Sequence, residues 1–98
     1  MIIRVFRARV GETYNNDFER FLRHGPLPFI AARPGLVAQY VGRPLDATGK
    51  EFVYVTVWED VDSLRGFAGE DWQRAVIDPE EEHMLEETLI DHYEAIGG

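Results

Sequence analysis

The segment from Phe52 to Trp58, FVYVTVW, limits the fold more than any other stretch of the chain. β-Branched and aromatic residues run through it with no polar break beyond a threonine, which marks a strand. Phe52, Tyr54, Thr56 and Trp58 project to one side and Val53, Val55 and Val57 to the other, because side chains alternate along a strand. Bulk on both sides requires that both faces of the surrounding sheet be covered. A chain of 98 residues forms one domain, 1–98, with material for a single layer of helices. Helices therefore cover one face, and a second copy of the chain is expected on the other, which makes a homodimer.

The remaining elements fit that frame. Ile2 to Val10 reads as a first strand, with Ile2, Phe6, Ala8 and Val10 on one face and Ile3, Val5, Arg7 and Arg9 on the other, stopped by Gly11. Tyr14, Phe18, Phe21 and Leu22 recur at helical spacing within Thr13–Leu22. Gly25, Pro26, Pro28 and Pro34 then mark a constrained connection. Leu36 to Val41 is a second strand, joined to the third by an excursion through Pro44–Lys50. Between Glu59 and Pro79 the composition predicts two short helices broken near Gly69, and Pro79-Glu80-Glu81-Glu82 suits the start of a short turn. Leu85 to Ala95 closes the chain as a last strand. The order is a ferredoxin-like split β-α-β arrangement, class α+β, with an antiparallel four-stranded sheet.

Charge narrows the partners. Ten Lys+Arg against eighteen Asp+Glu give a net charge of −8, with an isoelectric point near 4.7. Residues 59–98 carry thirteen acids and two bases, against five acids and eight bases in 1–58. This disfavours nucleic acid and anionic membranes as partners. No stretch approaches the length of a membrane span, and MIIRVFRARV lacks the pattern of a secretion signal, so a cytoplasmic protein is expected. There is no cysteine. That excludes disulfides, thiolate nucleophiles and sulfur-ligated metals built from this chain. Neither Gly42-Arg43-Pro44 nor Gly66-Phe67-Ala68-Gly69 is a phosphate loop, and the separations of the three histidines match no compact metal motif, so no cofactor is expected.

The stretches IIRVFRARV, PGLVAQYVGRP, EFVYVTVWEDVDSLRGFAGEDWQRAVI and HYEAI resemble the small dimeric α+β barrel proteins grouped around antibiotic-biosynthesis monooxygenases, over nearly the whole chain. The resemblance implies a ferredoxin-like subunit with a pocket between the sheet and its helices. It also implies membership of a group that spans cofactor-independent oxygenases of aromatic polyketides, haem-degrading oxygenases and proteins without a known reaction. The haem-degrading branch uses an Asn, a Trp and a His at positions that correspond here to Arg7, Phe67 and Ile77, none of which carries the expected side chain.

Several side chains are candidates for chemistry. His83, beside Glu80-Glu81-Glu82, is the candidate catalytic base, able to take a proton from a phenol. Its structural alternative is a hydrogen-bonding group at a helix end. Trp72 and Trp58 can each stack on a planar ligand and donate an N–H, though Trp58 fits equally under the helix that follows it. Tyr54 can offer a hydroxyl from the sheet. His24 and His92 are candidate substrate contacts, with connection capping and sheet or dimer hydrogen bonding as their alternatives. Arg43, like Arg7 and Arg9, can orient an anion or pair with the acidic C-terminal half.

These residues suggest a cofactor-independent monooxygenase acting on a small aromatic phenol or hydroquinone. A non-enzymatic or stress-associated protein binding a small hydrophobic ligand is the second reading, and a structural homodimerisation domain the third.

Overall fold

The doubly apolar strand lies inside the sheet. In the computed structural model, which describes all of Met1–Gly98, β1 (Ile2–Val10), β2 (Leu36–Gly42), β3 (Glu51–Trp58) and β4 (Leu85–Glu94) form one sheet in the order β2-β3-β1-β4. All neighbours are antiparallel, so the sheet has the expected ferredoxin-like topology. The register aligns residues across all four strands. Val41, Tyr54, Phe6 and Ile90 form one row, and Gln39, Thr56, Arg4 and His92 form the next on the same face. Rows on the opposite face include Tyr40, Val55, Val5 and Asp91, and Ala38, Val57, Ile3 and Tyr93.

One face carries all the helices. A 3-10 turn at Glu12–Tyr14 leads into α1 (Asn15–His24), which buries Phe18 and Leu22. Gly25 and Pro26 do not simply connect onward, as expected from the sequence. Pro26 instead occupies the first turn of α2 (Pro26–Ala31), where a missing N–H leaves no helical bond unmade. After β3, Asp60 caps α3 (Val61–Ala68), its carboxylate accepting from Ser63 N at 2.7 Å. The second helix expected beyond Gly69 does not form. Gly69 ends α3 with φ +86°, and residues 70–78 continue without a helix. α4 (Pro79–Glu82) has Asp78 and Glu81 as a reciprocal capping box. No helix is long and apolar enough to cross a membrane.

The last strand departs from strict alternation. A register shift opposite Arg9 and Val10 pairs Leu85 with Val10 and turns Leu85 to the helix face, whereas Leu89 and Tyr93 stay on the other. The helix-side core is divided in two. Ala8, Val10, Phe18, Leu22, Phe52 and Met84 pack at one end, and Ile30, Trp58 and Leu64 at the other.

Candidate functional site

Between the two core clusters lies a cavity of about 390 Å³. The space is partly open at the side of Phe29 and Val76, and its volume falls within the range of small-molecule pockets. Its sheet side includes Phe6, Ala8 and Phe52, its helix side Phe18, Leu22 and Ile30, and α3 contributes Phe67. Polar groups reach it from a few positions: Arg4, Tyr54, Thr56, Asp78 and Glu81.

Arg4 is the unusual residue. Period-two alternation places it on the face of Phe6 and Ala8, and it is only 5% exposed. Its Nη1 donates to the carbonyl of Trp72 and to His92 Nε2 at 2.9 Å, and its Nη2 donates to the carbonyl of Arg74 at 3.0 Å. The guanidinium also lies 5.9 Å from the centre of the Phe67 ring. No carboxylate approaches within ion-pair distance. Burial alone pulls its pKa down to about 10, leaving it cationic at neutral pH. Because arginine only donates, His92 Nε2 accepts, and the imidazole carries its proton on Nδ1. Burial, reinforced by the Arg4 charge, lowers the His92 pKa, with Asp91 opposing.

The row holding Arg4 is polar from end to end, Gln39, Thr56, Arg4 and His92, in an otherwise largely apolar floor. Tyr54, one row away, donates to Gln39 Oε1 at 2.6 Å, and Gln39 Nε2 donates to the carbonyl of Leu27 at 3.0 Å. Burial raises the Tyr54 pKa, so its hydroxyl stays protonated and ties β3 to β2 and to α2. Thr56 Oγ accepts the indole N–H of Trp58 at 2.9 Å. Glu81 is equally buried, and desolvation raises its carboxyl above the usual range, partly offset by the hydrogen bond its Oε2 accepts from Asp78 N at 3.0 Å.

Of the residues proposed from sequence, Tyr54 lines the cavity. Trp58 is fully buried beside it and stacks on Phe67 at 5.3 Å, which places it under α3. Trp72 and His92 meet edge to face at 5.1 Å behind Arg4, and neither ring lines the cavity. His83 is exposed, its ring edge-on to Tyr14 at 5.3 Å, outside the cavity. His24 is exposed in the last turn of α1. Arg43 is exposed and pairs at 3.0 Å with Glu19 on α1, not with the acidic C-terminal half. Arg7 does pair with that half, through Asp91 at 3.4 Å, on the face away from the cavity. The three histidines do not converge, and no cluster of three metal-ligating side chains occurs.

Arg4 and Glu81 are the site residues that the sequence reading passed over. The signal for Arg4 was present, since a charged residue at an even position of β1 falls on its apolar face. For Glu81 it was the proline-acid start of α4, which points to a cap but not to burial.

No family model and no curated sequence matches this chain. Solved structures do. A proposed antibiotic biosynthesis monooxygenase from Deinococcus radiodurans superposes with a TM-score of 0.79 at 14% identity, over 100% of this chain and 95% of that one. SnoaB from Streptomyces nogalater, described as a cofactor-independent oxygenase, gives 0.75 at 21% identity over 99% and 94%. The chain has the antibiotic-biosynthesis-monooxygenase fold. A variant of MhuD with two manganese protoporphyrin IX molecules in its active site shares this monooxygenase fold, with a TM-score of 0.76 at 14% identity over 100% of this chain and 97% of that one. In the present chain the space between sheet and helices has Arg4 and Glu81 among its walls.

Proposed function

We propose that the protein is a cofactor-independent monooxygenase acting on a small aromatic phenol or hydroquinone bound in the cavity. The observation that carries this reading is an apolar cavity of about 390 Å³ whose walls include both a buried guanidinium without a counter-charge and a buried carboxyl with a raised pKa. Glu81 takes the phenolic proton, a role that falls to it and not to His83, whose ring lies outside the cavity. Arg4, toward the other end of the cavity, holds the far end of the substrate and so directs its phenol at Glu81. The electron-rich ring then reduces oxygen. A carbon–oxygen bond forms at the ring carbon para to the phenolate, or at the free ortho carbon of a hydroquinone, whose para carbon already carries oxygen. The resulting hydroperoxide loses water as its O–O bond breaks, and a quinone remains, a hydroxyquinone in the second case. One phenol and one O₂ give one quinone and one water, so no further reductant is needed. SnoaB, with the same fold, is described as working without a cofactor.

The test is oxygen uptake with 1-naphthol and 1,4-dihydroxynaphthalene, corrected for uncatalysed oxidation. Uptake matched by quinone absorbance is expected, with no oxygen returned by catalase because water and not peroxide is the product. Glu81→Gln keeps the shape of the carboxyl and is expected to slow uptake about a hundredfold or more. Tight binding of both compounds with no uptake would replace this reading by ligand binding without turnover.

The reading includes a homodimer. The sheet face opposite the helices has no cover within the chain, and on it Tyr40 is 68% exposed and Leu89 and Tyr93 are each 51% exposed. Val5, Val53, Val55 and Val57 lie between them. A second copy offers the same apolar face and covers it by two-fold symmetry.

A further inference from the structure

From the surroundings of Arg4 we infer that the natural ligand is an aromatic acid, whose anionic group, a carboxylate or its equivalent, docks on the Arg4 guanidinium while its ring fills the apolar cavity. This names the ligand class of the site just described; it rests on the cavity being a ligand site and not on the oxygen chemistry.

A buried charge is costly unless it is paired, and carboxylates are the usual partners of buried arginine. Every protein group that touches this guanidinium is uncharged: the carbonyls of Trp72 and Arg74, and His92 Nε2. The rest of its row, Gln39 and Thr56, is also uncharged. Arginine has five N–H donors in a planar fork, and the three bonds made here leave donors on Nε and Nη2 without a protein acceptor. An anion is the ligand group that satisfies both the unused donors and the uncompensated charge.

The two acids of the cavity are placed where they do not substitute for it. Glu81 and Asp78 hold each other in the α4 capping box, Asp78 accepting from Glu80 N at 2.8 Å. α4 leads through Met84, whose carbonyl accepts from Gly11 N at 2.9 Å, so it sits beyond the Val10 end of β1. Arg4 is six residues back along the same strand, roughly 20 Å at 3.3 Å per residue. An aromatic acid anchored at Arg4 lies along Phe6 and Ala8 and turns its far end toward Glu81.

The experiment compares 1-naphthoate with 1-naphthamide, which match in shape and differ in charge, by calorimetric titration under nitrogen. The wild-type protein is expected to bind the acid about tenfold tighter than the amide or better, the scale of a hydrogen bond to a charged group. In Arg4→Met that preference is expected to disappear. Equal binding of acid and amide by the wild type would overturn the inference and leave the cavity reading intact, whereas no binding of either would overturn both. A preference that survives in a folded Arg4→Met protein would also overturn it. Should Arg4→Met not fold, Arg4→Lys keeps a charge but loses the fork, and is expected to weaken the acid several-fold with the amide unchanged. Undiminished acid binding by Arg4→Lys would contradict docking on the fork.

Discussion

His92 is held neutral by its neighbours, and this makes the protein sensitive to mild acid. Burial and the adjacent Arg4 charge lower its pKa below the ordinary histidine value. The unfolded chain therefore takes up a proton at higher pH than the folded one. The contribution is complete above about pH 6.5 and is lost as the pH falls through the lowered folded value. Urea midpoints are expected to drop below pH 6.5 in the wild type and to drop less in His92→Gln, where an amide oxygen can still accept from Arg4. Identical pH profiles would contradict this account. Glu81 acts in the opposite sense. Its raised pKa means that the folded state loses ground as pH rises above the ordinary glutamate value, so Glu81→Gln is expected to be at least as stable as wild type at pH 7. At this scale the sequence was only partly legible. Period-two alternation along β4 puts His92 and Glu94 on one face and Asp91 and Tyr93 on the other, as their pairing with β1 does. It could not show that the ring of His83, adjacent to three glutamates, turns to Tyr14 and away from the cavity, because the direction of a side chain after a short helix depends on packing between distant segments.

Among the elements, the approach of α3 to the start of β2 has the least tolerance. Gly35 has φ +82°, and a Cβ there would stand 2.1 Å from Ser63 Oγ in the first turn of α3. The carbonyl of Gly35 also accepts from Glu59 N at 2.9 Å, so the turn is fixed from both sides. Gly35→Ala is expected to destabilise the fold by more than the roughly 1–2 kcal/mol of left-handed backbone strain alone. Adding Ser63→Gly removes the clash but not the strain, and denaturant unfolding should show partial and not complete recovery. The strands were legible because their apolar period of two is local, and so was the hairpin from β2 to β3. The helices were less so. Pro26 read as a breaker begins α2, and the apolar residues after Gly69 run on without a helix, the carbonyls of Trp72 and Arg74 accepting from Arg4. The bulge that turns Leu85 inward is a matter of register between β1 and β4, which no property of β4 alone reveals.

For the whole molecule, the question posed by FVYVTVW is answered within the chain on one face only. Val55 stands at the centre of the uncovered face, in the row with Tyr40, Val5 and Asp91. Val55→Lys places a charge where the second copy would pack, and light scattering is expected to show the mass falling from dimer to monomer. A dimer of unchanged strength would move the interface elsewhere. The apolar character of both faces of β3 was readable from one strand, but which residues form the cavity was not, since its walls come from β1, β3, four helices and residues 70–78. The last of these, residues 70–78, is fastened mainly through its backbone. Arg4 grips it by the carbonyl oxygens of Trp72 and Arg74, which every amino acid supplies. Apart from Trp72, whose ring packs on His92, its side chains are thus released from the task of keeping it in place. Val76 forms part of the cavity wall from this segment, so selection, or a library made at the bench, can rewrite what the protein accepts there while the main-chain latch persists. Val76 is a point of the wall where new specificities can arise without rebuilding the sheet.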